Sequence, residues 1–137
     1  MEKRNRTFST VLLQIALALL FIVSGIWIFM GYAGDEISIA INSIFKGNAQ
    51  KVILYVFAVI ELIVGAFLIL RIFLNLNTKL DTALMTIIMI CWIVAIILLD
   101  FVGKAGLFKC LNSAFLGFLY RFAGHLLVLG AIIKVRN

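Results

Sequence analysis

The chain has no proline, two cysteines, a single histidine and little charge, with 13% of its 137 residues Asp, Glu, Lys or Arg. Soluble domains carry about a quarter charged residues, so a water-soluble fold is excluded. Without proline, no helix has a proline kink or the proline-broken half-helix that many transporters use. The cysteines form no C-x-x-C pair, and Cys91 lies within an apolar run while Cys110 lies in a loop. Half a membrane separates them, which leaves a disulfide framework, a thioredoxin-like redox pair and a structural zinc site unsupported. There is no nucleotide motif, no metal-ligand cluster and no nucleophile beside a base. That absence argues against an enzyme and calls for no metal or cofactor.

What the chain does have is apolar length. Hydrophobic residues make up 65% of it, and its mean hydropathy is +1.22. A helix needs about 20 residues to cross a hydrocarbon core of about 30 Å, and four runs qualify. The expected fold is all-α: a four-transmembrane-helix bundle forming a single integral membrane domain over 1–137, with helices at about 8–32, 52–73, 82–99 and 114–135. The basic start, Lys3, Arg4 and Arg6, resembles a signal peptide, but the uncharged stretch from Phe8 to Gly34 is too long for an h-region and ends in aromatics. It reads as a retained helix. Between the first and second spans, Ile37–Ile41 is too brief to cross, and reads as an interfacial segment or a short helix lying over the bundle. The tight polar turn Asn75–Lys79 implies that the second and third spans are antiparallel neighbours.

The net charge of +6 does not point to nucleic acid, because the basic residues sit at the ends of apolar runs and form no stripe. With the N-terminus inside, Lys3, Arg4, Arg6, Arg71, Lys79, Lys134 and Arg136 fall on the inner side. Lys46, Lys51, Lys104 and Lys109 fall on the outer side. The bias places both termini in the cytoplasm. The small size and the lack of an organelle-targeting motif favour a bacterial inner membrane.

Ionisable groups inside a span cost about 2.5 to 3.5 kcal/mol on insertion scales, so Glu61, Arg121 and His125 are the candidate site. Glu61 shares a helical stripe with Ala58 and Gly65, a small-residue face expected to press on a neighbouring helix. In the fourth span Ala114, Gly117, Arg121, Gly124, Val128 and Ala131 recur at steps of three and four, which reads as a close-packing seam with Arg121 inside it. At 1.5 Å per residue, Glu61 lies about 15 Å below Lys51 and His125 about 16 Å below Ala114, so their depths match. The plainer reading is a buried Glu61–Arg121 ion pair that fixes which helices face each other. The functional alternative is a small polar site for protons, a quinone-like molecule or a lipid head group. Cys91 reads as an apolar filler, Asp100 as an interfacial anchor, and the Phe108, Phe115, Phe118, Tyr120 and Phe122 cluster as belt and lipid contact.

The run Val59-Ile60-Glu61-Leu62-Ile63-Val64-Gly65-Ala66-Phe67-Leu68-Ile69-Leu70, followed by a short turn and an apolar helix with Met85 and Met89, resembles the second and third helices of DoxX-like small membrane proteins. Leu17–Gly25 is similar to that family's opening. The resemblance covers about two thirds of the chain. It implies a four-helix bundle, in some members linked to quinone or sulfur redox complexes, with Glu61 at the matching acidic position. Arg121 and His125 map onto no family motif. The expected function is an accessory or scaffold subunit of a membrane complex, in a homo-oligomer or bound to a larger membrane-protein partner. The alternative is a DoxX-like protein binding a quinone, lipid or proton at Glu61, Arg121 and His125.

Overall fold

The computed structural model describes residues 7–31, 36–74, 77–102 and 115–137. Ala114, Cys110, Phe108, Lys104 and Lys109 lie outside them. The described residues form five α-helices and one π-helical turn: α1 (Phe8–Phe29), α2 (Glu36–Ile44), α3 (Asn48–Phe73), α4 (Thr78–Ile96) continued by the π turn Ile97–Val102, and α5 (Phe115–Arg136). α1, α3, α4 with its π turn, and α5 are each long and apolar enough to cross a bilayer. The protein is therefore a multi-pass, all-helical membrane protein set in lipid. In the apolar windows of these spans the buried share runs from 33% in α1 down to 17% in α5. Most of each helix is left for lipid, where burial against protein brings little hydrophobic gain.

Packing in such a setting depends on close backbone approach, and α1 and α3 supply it. A Cβ added at Gly65 would lie 2.5 Å from Ile22 Cγ1 and 3.0 Å from the Ala18 carbonyl; one added at Gly25 would lie 2.9 Å from the Ala58 carbonyl. Ala18 thus faces Gly65 and Gly25 faces Ala58, an antiparallel crossing built from small residues at matching spacing on both helices. This is the stripe on which Glu61 sits. It packs on the first span. α3 has its long interface with α1, and it reaches α4 through Arg71, which bonds Asp81 in the first turn of that helix. The short Asn75–Lys79 connection therefore does not make the second and third spans a closely packed pair.

That turn is held by a buried ion pair. Arg71 donates from Nε to Asp81 Oδ1 and from Nη2 to Asp81 Oδ2 at 2.8 Å, while Nη1 donates to the carbonyl of Val135 at 2.8 Å. One guanidinium thereby joins the end of α3, the first turn of α4 and the last turn of α5, and it is 1% exposed. Arg71, counted on the inner side, is thus committed to partners within the protein, and setting it aside leaves six basic residues against four. Beside it, Gln14 of α1 is fully buried and donates from Nε2 to the Leu68 carbonyl at 2.7 Å. The main core joins Leu17, Ala18 and Phe21 of α1, Leu68 of α3, Met85 and Trp92 of α4, and Ile132 and Val135 of α5.

The expected segment after the first span contains α2. Gly31, at positive φ, follows α1, and Gly47, also at positive φ, precedes α3. Ile41 of α2 packs with Ile28 and Ala58, and Gln50 donates to Asn42 Oδ1, so α2 is tied to the start of α3. Two further expectations are corrected. Cys91 is exposed on the outer surface of α4 and fills no interior gap. Phe118 is buried and stacked with Phe122 at 5.7 Å, with Phe101 edge-on to Phe122 at 6.4 Å, so this part of the aromatic cluster is internal and not a belt.

Candidate functional site

A cavity of about 420 Å³ opens among the spans, and its walls include Glu61 of α3 and Arg121 and His125 of α5. All three residues singled out from the sequence line it. Ser24 of α1, Trp92 of α4 and Tyr120 of α5 also line it. Glu61 and His125 are 5% and 8% exposed. Glu61 lies between the two close contacts of α3 with α1, at Ala58 and Gly65, and Ser24 of α1 lines the same cavity.

His125 is held by a residue that sequence reasoning assigned elsewhere. Asp100 is 2% exposed, and its Oδ2 lies 2.8 Å from His125 Nδ1. This hydrogen bond holds the imidazole in a fixed orientation, as second partners of histidine do in many sites. Trp92 fixes the other side: its Nε1 donates to the His125 carbonyl at 3.2 Å, and its ring meets the imidazole edge-on at 6.0 Å. Phe21 in turn packs edge-on against Trp92 at 5.5 Å.

The π turn explains how Asp100 gets there. In a regular α-helix, residues four apart drift steadily round the axis, so Asp100 would rotate away from the face carrying Trp92 and Ile96. A wider π turn winds each residue through a smaller angle and keeps Asp100 on that buried face. Its position at the end of an apolar run, next to Phe101, is what made it read as an interfacial anchor.

The seam expected on α5 holds only in part: Val128 and Ala131 pack against the main core, whereas its glycines do not. Nothing lies within 4 Å of a Cβ added at Gly117 or Gly124, so these glycines do not mediate close helix packing. The packed face of α5 is instead Phe118, His125, Ile132 and Val135. The glycine stripe lies beside it and leaves room where a side chain would otherwise fill the cavity. Arg121 is on this open stripe, partly exposed at the mouth.

Chemically, the cavity wall carries the Glu61 carboxylate, the Arg121 guanidinium and an imidazole held by Asp100. It offers both donors and acceptors to a guest that enters from the membrane. Among the described residues no cluster of three His, Cys, Asp or Glu side chains is placed to hold a metal ion.

Fold and site together define a small multi-pass membrane protein with a polar cavity inside its bundle. The chain belongs to the same family as an uncharacterized protein of Treponema pallidum (strain Nichols), with which it is 30% identical over 137 residues, spanning 96% of this chain and 95% of the relative. No family model matches the chain, and no solved structure matches it.

Proposed function

We propose that this protein binds the polar head of a hydrophobic molecule, such as a quinone or a lipid, inside the membrane at Glu61, Arg121 and His125. The observation that carries the reading is that these groups, on two different spans, line one cavity whose histidine is oriented by a buried aspartate. Ionisable groups are costly at that depth, and lining a space they share gives them a use that simple packing does not. The DoxX-like resemblance supports the same reading, since its acidic position, Glu61, is on the cavity wall. We place both termini in the cytoplasm and the protein in a bacterial inner membrane. The six-to-four charge bias supports the orientation, and kinship with a Treponema pallidum protein supports the membrane.

Native mass spectrometry of the protein released from a mild detergent tests the binding reading. The wild type is expected to carry an adduct of lipid-range mass that Glu61→Gln and Arg121→Leu lose. A bare wild type, or an adduct equally present in both variants, overturns it. A second reading, an accessory subunit seated against a larger partner or a second copy, draws on the sparse burial of α5 and the open stripe at Gly117 and Gly124. It predicts a copurifying membrane protein that Gly124→Leu releases.

A further inference from the structure

The polar cavity lies between two dry layers of side chains. Towards the start of α1 and the end of α5 it is backed by the main core, in which Leu17, Leu68, Met85 and Ile132 are buried. Towards α2, Ile28 of α1, Ile41 of α2 and Ala58 of α3 form a second buried cluster, and Leu99, which lines the cavity, packs against it. Along α1 the lining residues Leu20 and Ser24 fall between Leu17 and Ile28, and along α3 Glu61 falls between Leu68 and Ala58. At the start of α5, Phe118 stacks on Phe122, which meets Phe101. Among the described residues, packed apolar side chains thus lie between the cavity and either end of the bundle.

The sides of the cavity differ from one another. Glu61 of α3 and Trp92 of α4 are buried, whereas Leu20 of α1 and Tyr120, Ala123, Gly124 and Leu127 of α5 line the same space and are exposed. The exposed part of the wall therefore belongs to α1 and α5, and what it meets in a spanning helix is lipid. Gly124 is on this rim with nothing within 4 Å of an added Cβ, so a side chain there would project into the opening. Resting on the binding reading above, we propose that the cavity takes a membrane-dissolved guest sideways, through a window between α1 and α5, and that Gly124 sets the width of what enters. A solute confined to water is excluded, because it would have to cross hydrocarbon or a packed apolar layer.

Fluorescence of Trp92 in phosphatidylcholine vesicles tests the route, with the full chain carrying Trp27→Phe so that Trp92 is its only tryptophan. Bromododecane dissolved in the bilayer should quench Trp92 to within about threefold of tryptophan octyl ester in the same vesicles. Acrylamide in the water should quench it at least tenfold less than free N-acetyltryptophanamide. Gly124→Leu should lower the bromododecane slope at least threefold, and Gly124→Val serves if leucine there prevents folding. Gly117→Leu, at a glycine equally open but not on the cavity wall, should leave the slope unchanged. Acrylamide quenching close to that of the free indole overturns the lateral route. An equal loss in Gly117→Leu, or no loss in either Gly124 variant, overturns the role of Gly124. The quenchers report entry and need no native ligand, so a wild type that is bare in mass spectrometry while Trp92 is open to bromododecane removes the binding reading alone. Adducts on a protein whose Trp92 bromododecane does not reach remove the window alone.

Discussion

Removing Arg71 should damage this protein more than removing any exposed charge. Its guanidinium is 1% exposed and Asp81 is 6% exposed, so Arg71→Met strands a carboxylate among apolar side chains and leaves the Val135 carbonyl without its donor. Breaking a buried pair from one side costs about 3 to 5 kcal/mol, and the lost bond to Val135 adds about 1 kcal/mol. Because the pair lies at the ends of α3 and α4, a freed Asp81 can relax towards head-group water, which favours the lower end of that range. Asp81→Leu should cost a similar amount by stranding the cation. The double variant Arg71→Met/Asp81→Leu leaves no buried charge and should lose only about 1 to 2 kcal/mol, chiefly the Val135 contact. Equilibrium unfolding in mixed detergent across the four proteins measures the coupling. A double variant that loses the sum of the two single losses would refute the reasoning, because it would mean that neither charge depends on the other.

Other substitutions separate packed from open positions. Gln14→Met should be neutral or stabilising by up to about 1 kcal/mol, because Gln14 Oε1 is a buried acceptor without a hydrogen-bond partner and its removal ends that desolvation penalty; melting temperature in detergent reads the change. Gly65→Leu should destabilise by about 3 kcal/mol or prevent folding, since even its Cβ would meet Ile22 at 2.5 Å and the Ala18 backbone at 3.0 Å. Gly124→Ala should instead raise the melting temperature, as the space is open and alanine is favoured over glycine in a helix by about 1 kcal/mol. An impermeant thiol reagent should label Cys110 in intact cells if both termini are cytoplasmic, with Cys91 shielded within its apolar span; labelling of a cysteine placed at Asn77, with Cys110 silent, would invert the topology.

The spans themselves were legible because apolar length is a requirement of the bilayer and not of any particular partner. Glu61 was legible for a related reason: small residues at helical spacing mark close approach, and Ala58 and Gly65 do meet α1. The same logic misread α5. Gly117 and Gly124 carry the identical signal, but a glycine that admits a neighbour and a glycine that leaves a space look alike until the neighbour is seen. Asp100 escaped notice because its inward position depends on a π turn, and the sequence Ile97-Leu98-Leu99-Asp100 has no glycine or proline to announce one. Arg71 escaped because a basic residue near the end of a span normally meets head groups. Only the return of Asp81 across a short turn, together with the end of α5, reveals a dry pocket for it.

The bundle thus contains two charged clusters, and their difference bears on function. At one end Arg71 uses Nε, Nη1 and Nη2 on partners within the protein, and it does not line the cavity described above. A guanidinium so occupied orders three helices and has little left to offer a guest. Away from that end Glu61, Arg121 and His125 line a shared space of about 420 Å³. The buried Arg71–Asp81 ion pair is an architectural device that the sequence reading did not single out. Glu61, Arg121 and His125 differ in lining a space large enough for a guest, and that is the main physical reason for reading the cavity as a place where a molecule is held.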